Sequence, residues 1–237
     1  MNKQDEKYLK NYSIHDFDIP LTSVDVVIFA IINSELNVLL VEREEAPQEK
    51  HLALPGGFID LQKDEDIATT AYRKLYEKTA IKSPYLEQIE SIGNKSRDIR
   101  GWSVTVLYFA LINTDKIKPL KSKNSQWISL TKALQYDLAF DHKILIEKAH
   151  NRLREKTLYT ALPVELMSEL FTLTELQTVF ETILAKKLPI KSFRRRILNA
   201  NILSPTNKSK LSGKRHAQLF KSTGIDRKYY FPRTLVL

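Results

Sequence analysis

The glycine pair in Leu54-Pro55-Gly56-Gly57-Phe58 is followed, about sixteen residues on, by the charged run Arg73-Lys74-Leu75-Tyr76-Glu77-Lys78. Glycine lets backbone come close to a partner, and residues spaced i,i+4 share one helix face. Lys74 and Lys78 have that spacing and could neutralise a diphosphate directly; the alternative is two solvated surface lysines. Arg73 and Glu77 are also i,i+4 and are expected to pair in support of the glycine loop. Asp60, Asp64, Glu65 and Asp66 stand where a helix amino terminus favours carboxylates. Arg97, Arg100 and Trp102 offer guanidiniums suited to bidentate phosphate binding and an indole suited to stacking on a base. A surface loop in which Asp98 pairs with a neighbouring arginine is the alternative there. Asp141 reads as a helix cap and His142 as a structural histidine. The chain has no cysteine, which excludes disulfides, thiolate catalysis and Cys-ligated metal sites.

A second constellation lies near the carboxyl end. On a short helix over residues 192–200, Phe193, Ile197 and Ala200 fall on one side and Lys191, Arg195 and Asn199 on the other, with Ser192 and Arg194 flanking. Arg196 lies closer to the buried edge, within reach of a phosphate or an acidic neighbour. Arginine and asparagine make bidentate contacts to base edges, while lysine and serine suit phosphates. A helix over residues 173–184 and a break at residues 186–189 precede it. A basic hairpin follows, with Lys208, Lys210, Lys214 and Arg215 around Ser212-Gly213 and with Leu219 or Phe220 packing inward. This outline is a winged helix-turn-helix, in which these residues meet DNA.

The elements that must position these groups are legible in part. Residues 23–32 and 36–43 read as two strands of a hairpin over Asn33-Ser34-Glu35. Residues 51–58 end in a Pro-Gly-Gly that breaks regular structure. Residues 65–79 read as a helix burying Ile67, Ala68, Ala71 and Leu75, and residues 101–112 return to strand character. Residues 140–156 read as a helix with Ile144, Leu145, Ala149 and Leu153 inward and Lys143, Glu147, Lys148 and Arg152 towards water. Strands mixed with few helices point to an α/β or α+β domain over residues 1–156, followed by the winged helix over residues 157–237. Residues 1–150 carry 20 Lys+Arg against 22 Asp+Glu, but residues 151–237 carry 17 against 6. A compact basic part after a near-neutral one is the asymmetry expected when a second domain meets a polyanion. No apolar run approaches the roughly 18 residues of a membrane span and no secretory h-region is visible, so a cytoplasmic protein without membrane partners is expected.

The glycine loop and residues 73–81 together resemble the Nudix box, a glycine loop leading into a helix of pattern Arg-Glu-x-x-Glu-Glu-x-Gly. Nudix enzymes use Mg²⁺ held by those glutamates to cleave nucleoside diphosphates linked to another group. The three glutamates fall here on Lys74, Glu77 and Lys78, and the glycine on Ala80, so the summed charge of those three positions goes from −3 to +1. Mg²⁺ needs hard oxygen ligands. Each ammonium would repel this divalent ion by roughly 8 kcal/mol at 4 Å and an effective dielectric near 20. The departures point to a nucleotide site with no catalytic residue, no bound metal and no cofactor. The stretches RKLYEKTAI (73–81), SRDIRGWSVTVLY (96–108), LAFDH (138–142), FTLTELQ (171–177) and KSFRRRILNANIL (191–203) are together similar to the Nudix-related transcriptional regulators of NAD metabolism, the NrtR family. That resemblance implies a Nudix fold with a mixed sheet flanked by helices and a carboxyl-terminal winged helix-turn-helix. It further implies a dimeric bacterial repressor of NAD-biosynthesis or salvage genes, released from a palindromic operator by ADP-ribose or a related nucleotide. Gly56, Gly57, Arg73, Glu77, Arg97 and Arg100 map onto its ligand side, and Lys191, Arg194, Arg195 and Lys214 onto its DNA side. The rival reading is an active Mg²⁺-dependent pyrophosphatase acting on ADP-ribose or NADH.

Overall fold

The long apolar run is strand β1 (Leu21–Ile32), which turns through Asn33 and Ser34 into β2 (Glu35–Glu42). Both turn residues have positive φ, the geometry a two-residue hairpin requires. A computed structural model describes residues 1–80, 85–113, 115, 124–212, 215–225 and 229–235. β1 pairs in parallel with β6 (Ser103–Ile112), and β6 pairs antiparallel with β5 (Tyr85–Asn94). The short strands β3 (Leu52–Ala53) and β7 (Ser125–Ser129) lie on β2, and β4 (Gly56–Phe58) lies on β1. The sheet is therefore mixed, in the order β3-β2-β1-β6-β5 with β4 and β7 off that path.

Alternation along the central strands feeds two cores. Val27, Phe29, Ile31, Leu107, Phe109 and Leu111 face one side, and Val24, Val26, Ile28, Val106, Tyr108 and Ala110 face the other. Helix α2 (Ile67–Thr79) covers the second face with Ala71 and Leu75. Helix α4 (His142–Tyr159), which follows the single turn α3 (Leu130–Ala133), covers the first with Leu145, Ile146, Ala149 and Leu153. That first core continues without a gap into the carboxyl-terminal helices α5 (Leu173–Leu184) and α6 (Ile190–Asn199), through Phe171, Phe180, Ile183, Phe193 and Ile197. A hairpin of β8 (Leu203–Ser212) and β9 (Arg215–Ser222) completes the winged helix, with Phe220 turned inward as expected.

Several expectations shift. α2 starts at Ile67 because the Asp66 carboxylate caps it by accepting the Thr69 N–H at 2.7 Å, and Ile67 is exposed, outside the core. In α4 it is Ile146, not Ile144, that is buried. α4 runs from His142 to Tyr159, starting two residues later and ending three residues later than the expected 140–156. The Pro-Gly-Gly segment does not end regular structure: Gly56–Phe58 pairs with Ser23–Asp25. The amino-terminal helix α1 (Lys3–Asn11), capped by Asn2, buries none of its residues and was not anticipated, nor were β5 and β7.

Candidate functional site

The glycine loop is built on a close approach. A Cβ at Gly56 would lie 2.4 Å from the Asp25 Oδ1 and 2.5 Å from the Val24 carbonyl oxygen, so β4 can pair with β1 only as glycine. Gly57 has φ +143°, and a Cβ there would meet the Lys74 Cε and Nζ at 3.1 Å. The Lys74 ammonium thus lies directly on the loop, brought there by α2, and it also pairs with Glu77 at 3.6 Å. Lys78, one turn further, lines a cleft of about 210 Å³ with Glu42, Arg43, Leu54, Gly56 and Asn124.

Arg73 does pair with Glu77, at 3.0 Å, but its main partner is Asp64. Its Nε and Nη2 donate to the two Asp64 oxygens at 2.7 and 2.6 Å, and Thr70 and the Asp60 N–H donate to the same carboxylate. These bonds, the Arg73 ones foremost, hold Asp64 well below the usual carboxylate range. Asp64 therefore closes the loop before α2 onto the helix side and does not cap the helix end.

Arg97 is buried. Its Nε and Nη2 donate to Asp141 at 3.0 Å each, and Nη2 lies 3.4 Å from the Asp25 Oδ2. Asp141 consequently makes no side-chain cap on α4, contrary to expectation, because Arg97 claims both its oxygens. Arg100 pairs with Asp98 at 2.7 Å, as the loop alternative had it, and lies 5.1 Å over Phe58 and 5.7 Å over Phe140. Arg43 lies 4.8 Å over the same Phe140. Trp102 is half exposed, with its ring edge on Gly93. Arg43, Asp25, Phe58 and Phe140 join this region; Phe58 and Phe140 stand within the motifs LPGGF and LAFDH but had no role of their own there, while Asp25 is a lone carboxylate inside the run VDVVIFAII.

His142 is structural, as read. Its Nδ1 accepts the Leu54 N–H at 2.9 Å, which requires the neutral ring, and Nε2 faces Asp25 at 3.6 Å. Burial lowers its pKa, and burial lowers that of His150 as well. Unfolded histidines take up protons near pH 6.5 that the folded chain refuses. Stability must therefore fall as pH drops from 7 towards 5, by up to about 1.4 kcal/mol per pH unit for the fully buried His142 and by less for His150, which solvent partly screens. The depressed carboxylates lose their contribution only at lower pH. Urea unfolding at pH 7.5, 6 and 5 measures this; equal stability at all three would refute it.

At the other end, a Thr172–Glu175 capping box starts α5, and the Phe180 and Phe193 rings meet edge-on at 5.2 Å to fix α6. Phe193, Ile197 and Ala200 are buried, while Lys191, Ser192, Arg194, Arg195 and Asn199 are exposed as expected. Arg194 donates to the Thr174 hydroxyl at 3.2 Å. Lys208 is exposed on β8, Lys210 pairs with Glu175 at 2.7 Å, and Arg215 opens β9. Lys214 lies outside the described residues. Arg196 is half-buried and meets no acidic side chain among the described residues: its guanidinium stacks 3.9 Å over Phe231 and donates to the carbonyls of Leu158 and Arg233.

Among the described residues no three carboxylate or imidazole groups converge as metal ligands, and Glu77 stands between two cations. That donor set does not fit a Mg²⁺ ion. No helix among the described residues is long and apolar enough to cross a membrane.

Comparison with known proteins matches residues 21–149 to the NUDIX domain and residues 163–222 to the NrtR DNA-binding winged helix domain. The chain is 49% identical over 233 residues to the ADPR responsive transcriptional repressor NtrR of Acinetobacter baylyi, covering 98% of this chain and 93% of that one. It superposes on Shewanella oneidensis NrtR complexed with a 27mer DNA at a TM-score of 0.87 and 43% identity, over 91% of this chain and 99% of that chain. The NUDIX domain of the same Shewanella protein, complexed with ADP ribose, matches at a TM-score of 0.58 and 44% identity, over 65% and 99%.

Proposed function

The chain belongs to the NrtR family, a NUDIX domain joined to an NrtR DNA-binding winged helix, and from that premise we propose an ADP-ribose-responsive transcriptional repressor. It acts as a homodimer on a palindromic operator and leaves it when ADP-ribose binds the NUDIX domain. The observation that carries this reading is the Lys74 ammonium lying on Gly57, where a metal-dependent hydrolase needs a carboxylate. A cation there meets a diphosphate directly and binds it without a route to hydrolysis. The relatives support the same assignment, one named as responsive to ADPR and one solved with ADP ribose.

On the ligand side we retain Gly56, Gly57, Lys74, Lys78, Arg100 and Trp102, with Arg73, Glu77 and Arg97 as the frame that holds them. On the DNA side we retain Lys191, Ser192, Arg194, Arg195, Asn199, Lys208, Lys214 and Arg215. For release, the ligand must favour the DNA-incompetent state, by about 1–3 kcal/mol in a typical coupling.

The test is a gel shift with the protein's own upstream region. A shifted band that ADP-ribose abolishes is the expected result; no shift, or a shift indifferent to ADP-ribose, defeats the reading. Lys74→Ala with Lys78→Ala should keep DNA binding but require at least tenfold more ADP-ribose, since a charge-assisted contact contributes about 1.5–3 kcal/mol. Steady Mg²⁺-dependent release of AMP by the wild-type chain would favour the pyrophosphatase instead.

A further inference from the structure

The segment after the wing is not covered by the winged-helix match, yet it packs where α4 and α6 meet. Phe231 N–H donates to the Tyr159 carbonyl and Leu235 N–H to the Leu158 carbonyl, each at 2.8 Å, and Tyr230 bridges to Thr160. These bonds satisfy carbonyls that the carboxyl end of a helix otherwise leaves open. Arg196 is the third party. It lies on α6, one position from the exposed Arg195, but its guanidinium bonds the same Leu158 carbonyl, bonds the Arg233 carbonyl and stacks on the buried Phe231. A cation at a helix carboxyl terminus is favourable in its own right.

We propose that Arg196, with the segment around Phe231, clamps the recognition helix to the carboxyl end of α4, so that Arg196 is a positioning residue for DNA binding and not a DNA contact. This rests on reading α6 as the recognition helix. The clamp joins the reading head to a rod about 27 Å long. The rod's other end holds the glycine loop, where His142 accepts the Leu54 N–H and Arg97 bonds Asp141. The clamp therefore adds, beside the packing of α5 on α6 through Phe180 and Phe193, a second path along α4 from the nucleotide site to α6.

The test uses the full chain with Arg196→Ala, Arg196→Lys, Phe231→Ala and the Arg196→Ala/Phe231→Ala double variant. Amide hydrogen exchange in α6 should quicken at least tenfold in each single alanine variant and no further in the double, with Arg196→Lys, which cannot stack and fork in the same way, rescuing little. DNA affinity should fall in the same order with an unchanged dependence on salt. A phosphate contact predicts the opposite: Arg196→Ala would lower the salt slope by about 1, Arg196→Lys would largely rescue, and Phe231→Ala would leave affinity intact. Unchanged exchange in α6, or that phosphate-contact pattern, overturns the clamp. Faster exchange in a chain whose wild type binds no DNA would uphold the clamp and defeat the DNA reading, so the two fail separately.

Discussion

Replacing Arg97 by alanine is expected to destabilise the chain by about 3–5 kcal/mol, the cost of removing one partner from a buried ion pair. The side chain is only 6% exposed, and Asp25, at 8%, is as hidden as its partner. Without the guanidinium, Asp25 keeps, among the described residues, only the neutral His142 ring at 3.6 Å as a polar neighbour of opposite tendency. The consequence is not local. Asp25 lies against Gly56, so an uncompensated carboxylate there pushes on the pairing of β4 with β1 and on the loop that carries Gly57. Arg97→Lys should recover a minority of the loss, since one ammonium cannot fork between Asp25 and Asp141 as a guanidinium does. For a chain of this size the alanine variant should melt roughly 6–20 °C lower. Urea unfolding gives the free energy directly, and a loss below 1 kcal/mol would mean that Arg97 is not the keystone between sheet and helix.

Arg97 also shows where sequence reading runs out. The motif Arg97-Asp98-Ile99-Arg100 announced two guanidiniums, but which carboxylate each would meet depended on residues up to 72 positions away. Arg100 found the neighbouring Asp98, a local pairing that spacing could suggest; Arg97 found Asp141 and Asp25, which no local pattern joins to it. The same limit hid β5. Glu87 and Glu90 break its apolar alternation, and they are tolerated because Arg152, Lys156 and Lys148 of α4 meet them across the fold. β7 is only five residues long, and its strand character comes from its register on β2. Elements set by local chemistry were legible: the β1–β2 hairpin, the span of α5, and the two faces of α6. Arg196 sat on the boundary between those faces, and its partner Phe231 lay 35 residues downstream in a stretch with no pattern of its own.

Loss of operator recognition should be largest when Arg195 and Asn199 are replaced together by alanine. Both are exposed on the side of α6 opposite Phe193 and Ile197, in line with Lys191 one turn earlier. Each bidentate base contact contributes about 1–3 kcal/mol of discrimination. The double variant should therefore bind its operator about 30-fold to about 2 × 10⁴-fold more weakly. The loss must be specific: binding to scrambled duplex of equal length should change little, because phosphate contacts carry that affinity. Lys191→Ala supplies the contrast, weakening both duplexes alike and lowering the salt slope by about 1. Neither variant touches the core, so thermal unfolding should stay within the range of ordinary surface substitutions. If Arg195→Ala/Asn199→Ala weakened operator and scrambled duplex equally, α6 would be gripping backbone only. Sequence would then have to be read from the wing or from the shape of the duplex. If it weakened neither, the basic stripe would be solvated charge, and the surplus of 17 Lys+Arg over 6 Asp+Glu beyond residue 150 would need another partner.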